Sequence, residues 1–243
     1  MWSDGVVADT APDAPGIDEL VAFVRLACHG LRNPLAIATG MLELLDRLSG
    51  EQLDDDARDL LRRSSAAVDR TAAMVLSIQR HIGSRHRPLQ LVPVELGEAL
   101  ALVVEQLDPA EVVVRVDGRL PQVVADPDMV EWVRHELVDN ARSHAADEGP
   151  VDVVVDAVED RGRWLVSVTD DGPGIPADRR EEAFGEGERL ERAGGGLGVG
   201  LTIVRTVLAR HGGEAWLEDA PSGDGLRAVT AWPAIAPADP ARR

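Results

Sequence analysis

The sequence contains no lysine, so all 25 of its strong cations are arginine. That usage points to GC-rich coding DNA rather than to a function. It has one cysteine, Cys28, which excludes an internal disulfide and fits a reducing compartment. No run approaches the ~18 consecutive apolar residues that a bilayer span requires, so direct membrane insertion is not expected. The first residues lack both a basic start and an apolar run, so no secretory leader is expected and the cytoplasm is the default location. Positive charge is scarce overall: 43 acids face 25 arginines, a net charge of −18. Nucleic acid and anionic membrane surfaces are therefore poor direct partners. A nucleotide is not excluded, because a metal ion and local backbone amides can neutralise phosphates.

At 243 residues with 44% hydrophobic content, the chain can hold one large or two small domains with a real core. Residues 1–16, rich in Asp, Pro, Ala and Gly, read as a disordered lead. From Ile17 apolar residues recur at helical spacing through Leu20, Val24, Leu31, Leu35, Leu42 and Leu45, about eight turns. Ser49-Gly50 interrupts them, and a second stripe runs from Leu53 through Leu60, Ala67, Met74 and Ile78. Residues 17–82 thus predict an antiparallel helical hairpin. A lone hairpin leaves one apolar face wet, and pairing with a second copy into a four-helix bundle would bury it.

Residues 83–89 read as a basic, proline-containing linker. From 90 to 233 short Val-rich runs alternate with helix-like stretches. Val112–Val116, Val151–Val155 and Leu165–Val168 read as strands. Leu96–Leu107, Asp128–Ala145 and Leu197–His211 read as helices. Ala215–Leu217 and Leu226–Trp232 flank Ser-Gly-Asp-Gly as a closing hairpin. The expectation is an α+β sandwich with helices on one face of a mixed sheet, followed by a loose tail at 234–243.

Three clusters in that second part point to chemistry. Asp170-Asp-Gly172-Pro-Gly174 follows an apolar strand. A carboxylate there can accept a hydrogen bond from the exocyclic amine of adenine, and the glycines allow close backbone approach. Alone, an Asp-Gly pair is more often an ordinary turn. Gly194-Gly-Gly196-Leu197-Gly198-Val-Gly200 directly precedes an apolar helix, where bare amides favour phosphate oxygens. A plain flexible hinge would not alternate Leu197, Val199 and Leu201 with glycine. The charged stretch between, Ala177–Ala193, would close over a nucleotide, with Arg189 and Arg192 within reach of phosphates. Glu136 and Asn140 are four apart on one helix face, and an amide oxygen is a reasonable Mg²⁺ ligand. The chain has only two asparagines, Asn33 and Asn140. His144 on the same helix is, by itself, an ordinary surface histidine.

A fourth cluster lies in the hairpin: His29-Gly-Leu-Arg-Asn33-Pro34-Leu. A proline within a helix removes one amide and collides with the carbonyl four residues earlier, here that of Gly30. A kink exposing the His29 turn is expected.

In this order, the four clusters resemble the H, N, G1 and G2 boxes of the two-component sensor histidine kinases. The resemblance covers nearly the whole chain. Its nucleotide half also resembles the GHKL ATP-binding fold of DNA gyrase, the Hsp90 chaperones and MutL. It implies a protein histidine kinase in which ATP·Mg²⁺ phosphorylates His29 and the group passes to an aspartate on a response-regulator receiver domain. Asp170, Gly172 and Gly174 would hold the adenine, with His144 against the base. Gly194, Gly196, Leu197, Gly198 and Gly200 would hold phosphate, and Asn140 and Glu136 the metal. Glu136 is also the position that carries a catalytic base in ATPases of the group. Asn33 matches a position that orients water when the regulator is dephosphorylated. The resemblance further implies a homodimer and a separate sensor or input protein.

Several positions depart from the family pattern. Gly30 replaces the acid after the histidine, Ser143 a lysine and Leu226 a threonine, and the phenylalanine box is reduced to Ala183-Phe184-Gly185. Two other readings remain open here: a histidine phosphotransferase that shuttles phosphate without using ATP, and an ATP-binding module like the anti-sigma proteins.

Overall fold

The computed structural model describes residues 16–143, 149–185 and 197–234. The chain divides into two compact units, Met1–Val75 and Leu76–Arg243. In the first, helix α1 (Ile17–Ser49) and helix α2 (Asp55–His86) are joined by a single 3₁₀ turn, Gly50–Gln52. The junction is fixed by polar side chains. Asp54 accepts the Ala57 amide at 2.8 Å and caps α2. Arg58 donates to the carbonyls of Gly50 and Leu53, at the two ends of the 3₁₀ turn. α1 remains helical straight through Pro34, so the ring costs one amide bond without ending the helix. His29 and Gly30 are exposed on it, whereas Cys28 in the same turn is buried.

α1 is apolar over more than one face. Cys28 is buried, while Phe23, Leu26 and Met41 are 67–70% exposed. Leu20, Leu31, Leu44 and Leu48 are exposed as well.

α2 continues through His86, so residues 83–86 are helical rather than part of a linker. No proline intervenes before Pro88, and the Ser84 hydroxyl donates to the His81 carbonyl, which is compatible with a last helical turn. The second unit begins with this end of α2. It continues as strand β1 (Val92–Glu95), helix α3 (Leu96–Val104), strands β2 (Val112–Asp117) and β3 (Gln122–Ala125), and helix α4 (Pro127–Ser143). Strands β4 (Val151–Asp160) and β5 (Arg163–Asp170), helix α5 (Gly200–Arg210), and strands β6 (Glu214–Asp219) and β7 (Leu226–Pro233) complete it.

The main sheet has the order β2-β4-β5-β7-β6. β2 and β4 are parallel, with Val112 opposite Val151, and the other pairs are antiparallel. β4 and β5 are joined by Arg161-Gly162, both at positive φ, the signature of a two-residue hairpin turn whose twist matches the strands. β1 and β3 form a separate antiparallel pair, two short strands absent from the sequence-based expectation. Alternation decides which face is dry. Val151, Val153 and Val155 are buried under the helices with Val166, Val168 and Ala228. On the other face of β4, Asp156 accepts from Ser167 and pairs with Arg227. Helices α3, α4 and α5 cover the apolar face, with Met129, Val133, Leu137, Ile203 and Val207 filling the layer between.

One buried group is out of character. Arg134, on α4, borders an apolar cavity lined by Leu100, Leu120, Val133, Leu137 and Trp232. Its Nε and Nη1 have no hydrogen-bond partner. Burial disfavours the cation and lowers its pKa from the ordinary guanidinium value to about 10, against a smaller upward pull from Glu131. Since the folded value lies below the unfolded one, the cost is fully present below about pH 10 and fades only above it. Replacing Arg134 by Met should therefore raise stability by about 1–3 kcal/mol at neutral pH, by removing unpaired buried polar atoms. Chemical denaturation at pH 7 reads this, and an unchanged or lowered midpoint contradicts it.

Candidate functional site

The acid that opens the first glycine cluster is built into the fold. Asp170 ends β5 and is 9% exposed. Its Oδ1 accepts the amides of Gly172 at 3.0 Å and Leu226 at 3.1 Å. Two backbone donors from different segments fix the carboxylate conformer and stabilise its charge. The turn that follows is packed tightly on the β6–β7 loop. Gly174 has φ 70°, and a Cβ there would lie 2.8 Å from the Gly225 carbonyl oxygen. Gly225 has φ 110°, and its Cβ would lie 2.0 Å from the Asp170 carbonyl. The smallness of Gly174 thus serves approach of backbone to backbone within the protein. Gly172 is buried and does not adopt positive φ.

The second cluster is seen from Leu197 onward. Gly198 has φ 69° and Gly200 starts α5. Thr202, in the first turn, donates to the carbonyls of Phe184 at 2.9 Å and Gly185 at 3.1 Å. Phe184 is buried, with the Arg205 guanidinium stacked 3.8 Å from its ring centroid and paired with Glu181. The reduced phenylalanine box therefore still supplies an anchored aromatic. Gly194, Gly196, His144, Arg189 and Arg192 lie outside the described residues.

Glu136 and Asn140 do share one face of α4, both half-buried. Glu136 is not open, however. Arg80, near the end of α2, donates to its Oε1 at 3.1 Å, and the two side chains are 18% and 10% exposed. Its Oε2 lies 2.7 Å from where a Cβ on Gly200 would stand. Burial pushes the Glu136 carboxyl above its usual value, and Arg80 opposes that shift without cancelling it. The sequence reading did not anticipate Arg80. Nothing in a helical arginine two residues past the apolar Ile78 distinguishes it from a solvated one.

Beside this pair, the end of α2 is tied to α4. Asp126 is fully buried and caps α4 ahead of Pro127. It accepts from the Gln90 amide at 2.9 Å and from Met129 at 3.3 Å, and pairs with Arg87 at 2.5 Å. Burial pushes its carboxyl up, but Arg87 and the two amides outweigh this and hold it below the ordinary value. Its own amide donates to Nε2 of His211, whose Nδ1 faces the Val207 carbonyl at 2.7 Å, fixing a neutral tautomer. Arg210 donates to the carbonyls of Ser84 and Arg87.

Among the described residues, no group of three or more His, Cys, Asp or Glu could by itself hold a metal ion. One amide, Asn140, beside a carboxylate already ion-paired suits a divalent cation whose other ligands are phosphates and water. In the hairpin, His29, Gly30 and Asn33 are exposed on α1, and a side chain on Gly30 would meet nothing within 4 Å.

A helical hairpin with an exposed histidine and an α+β domain with a fixed acid at a strand end define a two-module architecture. Comparison with known families assigns both modules. Residues 19–79 match the His Kinase A (phospho-acceptor) domain. Residues 125–236 match the histidine kinase-, DNA gyrase B- and HSP90-like ATPase. The chain belongs to the histidine kinases, with both a phospho-acceptor domain and an ATPase domain. Among curated relatives it is 30% identical over 216 residues to the adaptive-response sensory kinase SasA of a Synechococcus species, covering 80% of this chain and 54% of that protein. It is 28% identical over 214 residues to the phytochrome-like protein Cph1 of a Synechocystis species, covering 85% of this chain and 28% of Cph1. Among solved structures, full-length ShkA in complex with AMPPNP superposes with a TM-score of 0.65 at 25% identity, covering 90% of this chain and 46% of that one. The chain thus spans about half the length, or less, of these proteins. Among the described residues, no helix is long and apolar enough to cross a membrane.

The glycine geometry makes a graded prediction. Gly223 has φ 92° with open space around it, whereas Gly225 combines positive φ with a collision against Asp170. Gly223→Ala should cost about 1 kcal/mol, the strain of a left-handed alanine. Gly225→Ala should cost clearly more, about 2–4 kcal/mol, because backbone must also move. Thermal melts of the two variants test the ordering, and equal losses refute it.

Proposed function

We propose that the chain is the catalytic core of a sensor histidine kinase, which uses ATP·Mg²⁺ to phosphorylate His29 and passes the phosphoryl group to an aspartate of a response-regulator receiver domain. The observation that carries this reading is His29 itself: an exposed histidine on α1, inside the residues matched by the phospho-acceptor domain, in a chain that also contains the ATPase domain. In the transfer the imidazole nitrogen bonds to the γ-phosphorus, the bond from phosphorus to the β–γ bridging oxygen breaks, and ADP leaves. The proton on the attacking nitrogen goes to water or to a carboxylate.

The site residues divide the work. Asp170, fixed by the Gly172 and Leu226 amides, accepts the adenine amine, and Gly174 keeps the turn beside it close. Leu197, Gly198 and Gly200 lead into α5, whose first amides face the phosphates. Asn140 would ligate Mg²⁺, which, when bound, neutralises phosphate charge as it develops. Asn33, one turn beyond His29 on the exposed face of α1, would orient water when the regulator is dephosphorylated. Gly194, Gly196 and His144 retain their proposed contacts with phosphate and base. The signal arrives from a separate input protein or domain, in the cytoplasm.

Incubation with γ-labelled ATP tests the reading. Wild type should become labelled and His29→Ala should not. A His29→Ala protein that labels equally would end it. Gly30→Glu should label faster by a factor toward the lower end of ~10²–10⁴, by supplying a positioned base. The space around Gly30 accommodates the new side chain, and replacing a helical glycine should add ~0.5–1 kcal/mol of stability. Stability without a faster rate would show that the proton is removed by another group.

The same proposal includes a homodimer. The exposed Phe23, Leu26, Met41 and Leu48 of α1 are the surface that a second hairpin would cover. Light scattering should give a dimer at micromolar concentration, and Met41→Asp with Leu48→Asp should weaken it at least tenfold. A monomer for the unmodified chain removes the four-helix bundle.

A further inference from the structure

The α5 N-terminus already faces an anion. Val199, at the cap position, makes no side-chain cap bond, and the first turn of α5 contains no acid. Glu136 of α4 brings a carboxylate to this end, its Oε2 2.7 Å from where a Cβ on Gly200 would stand. A helix N-terminus favours negative charge, and it is also where a nucleotide phosphate would settle. Two anions at one helix end repel, strongly so where water is excluded. A cation must offset one of them.

Four other described arginines near these segments are engaged, and Arg134 of α4 borders the apolar cavity instead. Arg180 binds the Ile175 carbonyl and Asp219. Arg205 pairs with Glu181, Arg227 with Asp156, and Arg142 with Glu111. The chain has no lysine. Arg80 is the group that meets Glu136, and both are largely buried. It reaches this place because α2 stays helical to His86, because Gly83 lets Trp132 of α4 approach to where a Cβ would stand 2.6 Å from the ring, and because Arg210 holds the Ser84 and Arg87 carbonyls.

We propose that Arg80 is a positioning residue of the nucleotide site: it orients the Glu136 carboxylate and cancels its charge, so that a triphosphate can bind beside it. The proposal rests on the kinase reading above. It makes the helix that begins in the phospho-acceptor hairpin the source of a side chain on which nucleotide affinity depends.

The test measures the affinity of a fluorescent ATP analogue in Mg²⁺ and, separately, in EDTA. The ratio of the two dissociation constants is the readout. In Arg80→Gln the carboxylate loses its partner. Metal-free nucleotide is then repelled and the metal complex is favoured, so the EDTA/Mg²⁺ ratio should rise at least tenfold over wild type. Arg80→Lys should restore it to within about threefold. Arg80→Gln combined with Glu136→Gln should bring it back to or below wild type, because the unpaired charge is gone. Should Arg80→Gln not fold, Glu136→Gln alone carries the test, and its ratio must fall below wild type. A purely structural role for Arg80 would weaken both affinities equally. An unchanged ratio in Arg80→Gln, or a raised one that persists in the double variant, overturns the proposal and leaves the kinase reading standing. Wild type that binds the analogue in neither buffer overturns both.

Discussion

A single fully buried carboxylate organises the second unit. Asp126 caps α4, receives two backbone amides, pairs with Arg87 and lends its own amide to His211 at the end of α5. Burying a charge is expensive unless it is paired and hydrogen-bonded, and here the four contacts come from three segments. The cost of breaking any one of them is therefore felt by the others. The start of α4, the end of α5 and the stretch after α2 are fixed together, and the position of Glu136 and Asn140 two to four turns along α4 follows from that anchor. The neutral tautomer of His211, edge-on to Trp232 at 5.6 Å, carries the same constraint to the last strand.

Much of this was legible in the residues. Glycine and serine at 49–50 mark the hairpin turn, the 3.6-residue stripes mark both helices, and Val-rich alternation marks β2, β4 and β5. Asp126-Pro127 is a cap followed by a first-turn proline, which is why α4 starts within a residue of its expected place. The Asp170 turn was readable because Gly174 combines positive φ with a close backbone approach, which glycine alone satisfies without strain.

What stayed hidden is non-local. β1 and β3 are four residues each, one of them containing Pro93, and neither has a period long enough to register. The parallel pairing of β2 with β4 depends on α4 crossing between them. The end of α2 looked like a linker because its arginines and histidines read as solvated, whereas Arg87 and Arg210 are tied into it by backbone and carboxylate partners. Arg80 belongs to the same class: its partner is 56 residues away, and no local pattern announces it. Arg134 is the converse, a polar residue in an apolar stripe whose burial only packing reveals.

Thr202 has a consequence for how the sequence between the two glycine clusters can vary. Its hydroxyl holds the carbonyls of Phe184 and Gly185, while the chain re-enters α5 two residues earlier, at Gly200. Both ends of the intervening segment are thereby pinned to one turn of one helix. The entropy of closing a flexible chain between two fixed ends grows only with the logarithm of its length, about 0.6 kcal/mol for each doubling. Insertions and deletions there leave the anchor, and with it the folded domain, almost untouched. The spacing between the two ends is thermodynamically cheap to change, whereas removing the Thr202 hydroxyl would release both carbonyls at once.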